Sequence, residues 1–218
     1  MVASHPLTVP NPASSALLTI DMQADFVYPD GASPVAGTPE ILPRLAGLTQ
    51  AYRDAGRPIL HIVRLYLADG SNAEPVRRPA LESGHSIVVP DTPGAQIVPE
   101  ILAEPAELDP DILLQGEPQW LGSREGILYK PRWGAFFHTP LERILAKLGV
   151  DTVVVAGCNF PNCPRTTLYE ASERDFRLVA VEDALSGLYS RGTEEIRSIG
   201  AFTPDTTGWG AQVAEARR

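Results

Sequence analysis

Residues 151–167, DTVVVAGCNFPNCPRTT, constrain the fold more than any other stretch of the chain. Val153, Val154 and Val155 are consecutive β-branched residues in a short apolar run, the pattern of a strand covered on both faces. Strands of that kind belong to parallel sheets flanked by helices. Gly157 allows a sharp exit from the strand. Asn162, Cys163 and Pro164 then read as a helix cap with proline in the first turn. A thiol at that position meets the positive end of the helix, which favours thiolate, so Cys163 reads as a nucleophile. The alternative is an inert core cysteine, since free cysteines are among the most buried residue types.

The rest of the chain repeats the strand-and-helix alternation. Ala16–Ile20 is a short apolar strand ending in Asp21-Met22-Gln23. Thr38-Pro39 opens a helix with Ile41, Leu45, Leu48 and Tyr52 as its buried stripe, and Gly56 closes it. The strand Pro58–Val63 follows, so the crossover is right-handed and the sheet largely parallel. His61 reads as a satisfied core histidine. Arg64 and Tyr66, just past this strand, either line a crevice or pair at the surface. From 67 to about 126 the pattern loosens, with one short helix expected at Ala95–Leu102. So long an irregular connection is a functional excursion or an oligomer contact. Ile127–Lys130 is a further strand, and Thr139-Pro140-Leu141-Glu142 reads as a capping box opening a helix that Gly149 stops. After the cysteine helix come a strand at Leu178–Val181, a helix at Thr193–Ile199, an edge strand at Ala201-Phe202 and a frayed tail. The expected fold is α/β: a three-layer, doubly wound, mainly parallel sheet with helices on both faces. Residues 1–15 form an N-terminal arm and 16–218 one domain.

Composition narrows the function. A net charge of −9 argues against nucleic acid, and the only adjacent basic pairs, Arg77-Arg78 and Arg217-Arg218, read as solvated surface. No stretch suits a bilayer span, and the N-terminus lacks the pattern of a secretory signal. Two cysteines argue against a disulfide framework and point to the cytoplasm. The expected partner is a small-molecule substrate, with no nucleic acid and no membrane.

Three strand ends carry complementary chemistry: Asp21, Lys130 and Cys163. A doubly wound sheet brings side chains from separate strand ends together at its switch point. A carboxylate can take the thiol's proton and a lysine can hold the charge in place, which makes an acyl-transfer site.

TIDMQADF, YKPRWGAF ahead of TPLERILAKLGV, and VVVAGCNFPNCPRTTLYEASERDF resemble, in order and spacing, the three signature blocks of the isochorismatase-like cysteine hydrolases. That family includes nicotinamidases, N-carbamoylsarcosine amidases and a lactam-opening streptothricin hydrolase. The resemblance implies an isochorismatase-like, Rossmann-like fold and hydrolysis of an amide, ureide or lactam C–N bond through a thioester. It also implies a homodimer or homotetramer. It makes Asp21 the general base, Lys130 its cationic partner and Cys163, not Cys158, the nucleophile. The backbone amides of Asn159 and Cys163 would form the oxyanion hole, aimed by a non-proline cis peptide between Cys158 and Asn159.

The chain departs from the family pattern at Asn159-Phe160-Pro161, at Gly134 after the lysine, and in LYLADGSNAEP, which has no histidine where nicotinamidases carry metal ligands. No metal and no cofactor are therefore expected. Gln23, Phe26, Arg64, Arg132, Trp133, Phe160 and Arg165 are the candidate substrate-binding residues. An arginine near the thiol would favour a carboxylate or polar carbonyl, whereas Glu74 and Glu82 would favour a cation. The competing readings are vinyl-ether hydrolysis without the thiol, a Cys158/Cys163 redox pair, and a binding protein of the same fold.

Overall fold

The sheet is built around β1 (Ser15–Ile20), in which every residue is buried. It pairs in parallel with β2 (Ile59–Val63) on one side and β5 (Thr152–Gly157) on the other. Beyond β2 lies β4 (Glu125–Tyr129), and beyond β5 lies β6 (Arg177–Leu185), both parallel. The short β3 (Gln119–Trp120) closes one edge as the antiparallel member, giving the order β3-β4-β2-β1-β5-β6. The chain runs outward from β1 to β2 and β4, then returns to β5, so the switch point lies between β1 and β5. The structure is a computed structural model that describes residues 5–216.

Alternation along the strands divides the core into two layers. Leu17, Ile59, Ile127, Val154 and Val179 face one way, with Leu45, Leu48 and Tyr52 of α2 (Thr38–Asp54) and Trp209 and Val213 of α8 (Thr206–Glu215). Leu18, Leu60, Leu128, Val153 and Val155 face the other, against α5 (Leu141–Lys147), α6 (Cys163–Ser172) and α7 (Ser190–Ser198). Three short helices, α1 (Ala24–Val27), α3 (Arg78–Glu82) and α4 (Pro110–Leu114), sit in the connections. Among the described residues no helix is long and apolar enough to cross a membrane.

The expected three-layer sheet is present, and four local expectations are corrected. Residues 95–102 do not form a helix: there are two 3₁₀ turns, Pro93–Ala95 and Pro99–Ile101, split where Pro99 withdraws an amide and holds Val98 extended. The 139–142 capping box does not close. The Thr139 hydroxyl donates to the Ala135 carbonyl, Glu142 pairs with Arg174 at 3.0 Å, and α5 starts at Leu141. The tail is not frayed, because Asp205 caps α8 by accepting from the Gly208 amide and the Trp209 indole donates to the Tyr52 hydroxyl at 2.9 Å. Ala201-Phe202 contributes a single parallel bridge to Val179 rather than a strand. The arm is held at its end by the Asn11 amide on the Thr152 hydroxyl, 2.9 Å. Its residues 1–4, like the Arg217-Arg218 pair, lie outside the described residues.

Candidate active site

Four adjacent parallel strands end level with one another, and the next residue of each lies at the same end of the sheet. Lys130 follows β4, Arg64 follows β2, Asp21 follows β1 and Cys158 follows β5. The ladder continues through these residues: the amides of Lys130, Asp21 and Cys158 donate to the carbonyls of Val63, Ile62 and Ile20. Asp21 sits at φ 53, a conformation that costs a non-glycine residue on the order of 1 kcal/mol and turns its carboxylate away from the strand. Gly157, at φ 115, carries no Cβ where one would run into the Ile20 carbonyl, so β5 approaches β1 closely at the switch point.

Lys130, with 0% exposure, joins the other two groups. Its Nζ lies 3.0 Å from Asp21 Oδ2 and donates to Cys163 Sγ at 3.2 Å and to the Arg132 carbonyl at 3.4 Å. A buried ammonium requires such a partner, since an uncompensated charge in the interior costs several kcal/mol. Asp21 Oδ1 is buried and has no hydrogen-bond partner among the described residues.

Burial pushes the Cys163 thiol up to about 12, with the charge of Asp21 adding to it and Lys130 opposing it. The helix start was expected to favour thiolate. Desolvation outweighs it here, because the residue is only 5% exposed. Asn162 occupies the N-cap position without capping through its side chain, which donates to Asn159 Oδ1 instead. Cys158 is buried, donates to the Asp21 carbonyl at 3.2 Å, and is raised well above an ordinary thiol by burial.

No cis peptide occurs among the described residues, so the expected cis bond between Cys158 and Asn159 is corrected to trans. Gly157, at φ 115, and Asn162, at φ −114 and ψ −101, take the reversal of the chain. In the turn itself the amides of Phe160, Asn162, Arg165 and Thr166 all have backbone acceptors. Those of Asn159 and Cys163 have none among the described residues.

The crevice is lined by Asp21, Phe26, Val35, Arg64, Tyr66, Arg77, Trp133, Cys158, Asn159, Asn162 and Cys163. Its cavity volume is ≈30 Å³. Phe26 and Trp133 are therefore wall residues. Arg64 also reaches the wall, but its guanidinium bonds Glu74, the Tyr66 hydroxyl at 2.8 Å and the Lys130 carbonyl at 3.1 Å.

The other expected pocket residues lie elsewhere. The Gln23 amide is buried between backbone groups of Arg64 and Ala95 and serves as a brace. Arg132 donates to the Asn72 carbonyl. Phe160 is fully buried beneath the turn, edge-on to Tyr189. Arg165 turns outward to Glu195 at 2.7 Å and the Tyr189 hydroxyl. Gly134, the departure after the lysine, leaves room for the Glu170 carboxylate, which accepts from the Phe136 amide at 2.9 Å.

Arg77 and Val35 are wall residues that the sequence did not reveal; the Arg77-Arg78 pair read as surface, and only the path of the 67–126 excursion brings Arg77 to the crevice. Among the described residues, no three His, Cys, Asp or Glu side chains gather as a metal-ligand set.

Comparison with known proteins adds four findings. A family model described as an isochorismatase domain matches residues 15–201. The sequence is 27% identical over 207 residues to a probable inactive nicotinamidase of Arabidopsis thaliana, covering 92% of this chain and 97% of that one. It is 26% identical over 182 residues to a maleamate amidohydrolase of Pseudomonas putida, covering 80% and 73%. Among solved structures, an isochorismatase family protein from Desulfovibrio vulgaris is similar at a TM-score of 0.78 and 35% identity, covering 92% and 98%.

Proposed function

The chain belongs to the isochorismatase family, and from that premise we propose that it is a cysteine-dependent hydrolase that cleaves the C–N bond of a small amide, ureide or lactam. One observation carries the reading: a single buried ammonium, Lys130, touches both the Asp21 carboxylate and the Cys163 thiol. The amidohydrolase among its relatives supports the same bond class.

In this mechanism Asp21 Oδ1, the carboxylate oxygen without a partner, takes the proton from Cys163 as sulfur attacks the carbonyl carbon. The thiol is held protonated until then, and its high proton affinity has a second effect. A basic thiolate is a strong nucleophile but a poor leaving group, so the tetrahedral intermediate expels nitrogen once that is protonated. The free amides of Asn159 and Cys163 hold the oxyanion, each worth roughly 3–4 kcal/mol in comparable sites. Asp21 passes its proton to the departing nitrogen. Ammonia or an amine leaves, or in a lactam stays tethered to the acyl chain as a free amine, and a thioester remains on Cys163. Asp21 then accepts a proton from water as it attacks the thioester, and the carboxylic acid departs with the thiol restored. Lys130 keeps Asp21 oriented and neutralised through both halves.

The test is a screen for ammonia or amine release over small amides, ureides and lactams, run with the native protein and with Cys163→Ala. Turnover of at least one class, lost by a factor of about 10³ or more in the variant, is the expected result. Undiminished turnover by Cys163→Ala would overturn the reading.

A further inference from the structure

We propose that Arg77 selects the substrate, and that the amide it admits carries a carboxylate. The inference rests on the hydrolase reading for the reaction but on separate groups for recognition. The charges around the crevice cancel in pairs. Asp21 is matched by Lys130 and Arg64 by Glu74, the second pair reinforced by the Tyr66 hydroxyl. Arg77 is the charge left over: among the described residues its side chain has neither an ion pair nor a hydrogen bond, while neighbouring Arg78 donates to the Ala73 carbonyl.

Its backbone is nevertheless fixed. The Arg77 amide donates to the Glu74 carbonyl at 3.0 Å, which ties it to the residue that holds Arg64. Its guanidinium carbon lies 5.9 Å from the centroid of the Trp133 ring, a cation–π placement. A guanidinium held in this way presents a planar fork suited to two carboxylate oxygens.

Three further points fit this assignment. The surviving charge is local, because a chain of net charge −9 has no general attraction for anions. The loop acids do not make a cation site, since Glu74 is consumed by Arg64 and Glu82 is exposed. Finally, Arg77 can turn off Trp133 towards a ligand without breaking an ion pair.

The experiment uses succinamate, succinamide and β-alaninamide, amides of similar size whose far ends are anionic, neutral and cationic. The native protein is expected to favour succinamate over succinamide by about tenfold or more in kcat/KM and to disfavour β-alaninamide. Arg77→Met should raise KM for succinamate about tenfold, with a smaller change in kcat, and bring the two uncharged-or-anionic substrates close to parity. Arg77→Lys should recover part of the preference. A second arm needs no turnover: succinate binding to Cys163→Ala, followed by calorimetry, should weaken about tenfold when Arg77→Met is added. Failure of these amides and of the whole amide, ureide and lactam screen, with that binding difference intact, would refute the hydrolase reading and sustain the anion site. Equal use of succinamate and succinamide by the native protein, or succinate binding indifferent to Arg77→Met, overturns the proposal.

Discussion

Two opposed fields act on the Cys163 sulfur. The start of α6 and the Lys130 ammonium favour the thiolate; burial and the Asp21 carboxylate oppose it and prevail. Removing the carboxylate should therefore separate acidity from activity. In a Cys158→Ala background, Asp21→Asn should lower the Cys163 pKa from about 12, followed by ultraviolet thiolate absorbance, and yet reduce amide turnover by about 10²-fold or more. A variant that kept both acidity and turnover unchanged would remove Asp21 from the mechanism. Lys130→Met leaves the buried Asp21 carboxylate unpaired and is expected to cost about 3–5 kcal/mol in denaturant unfolding. Asp21, Lys130 and Cys163 were legible because each follows a strand or a turn that sequence pattern marks. Arg77 was not, since it reaches the crevice from an irregular connection whose path depends on tertiary packing. Arg165 shows the converse: proximity in sequence to the nucleophile did not survive its outward ion pair with Glu195.

Among the elements, the strands show how much a short pattern specifies. The valine run of β5 and the apolar β1 were read directly, while Gln119–Trp120, two residues long, offered no period to detect. Helix α8 was obscured by Gly208 and Gly210, which weaken local propensity; Trp209 against Tyr52 supplies the missing stability from tertiary contact. Trp209→Ala should accordingly destabilise the fold by about 3–5 kcal/mol, measured by denaturant unfolding.

A second prediction concerns the ties between strands. His61 bridges β1 and β4 through Thr19 Oγ1 at 2.8 Å and Glu125 Oε1 at 3.0 Å, and Arg53 of α2 joins Glu125 at 2.6 Å. Burial holds His61 below its usual 6.5. Glu125 is half-buried, which alone would raise it, but Arg53 and His61 bring it down to about 2. Both folded values lie below the unfolded ones, so each contribution is present at high pH and lost on acidification. Stability should begin to fall as pH drops below 6.5 and fall again from 4.5 towards 2. A His61→Gln variant should flatten the first limb, and an unchanged profile would refute the assignment.

At the scale of the whole molecule, the site exists only where the strand order reverses, with β2, β1 and β5 each delivering one residue to the crevice and β4 delivering the buried Lys130 that touches Asp21 and Cys163. That convergence was legible from the alternation of strands and helices, because an open parallel sheet offers its strand ends to one side. Strand order beyond the switch point, and the route of residues 67–126, rested on packing that local pattern does not encode. A homodimer or homotetramer, expected from the family resemblance, should sediment at twice or four times 23.5 kDa; a single species at 23.5 kDa would refute it. The central claim is that these strands assemble around a cysteine that becomes acylated. Its most direct test is mass spectrometry of the protein quenched during turnover of an amide found by the release screen. The account predicts an acyl group on the peptide carrying Cys163, hydrolysed on standing and absent from Cys163→Ala. Acylation confined to Cys158, or sustained turnover with no acyl-protein and no loss in Cys163→Ala, would contradict it.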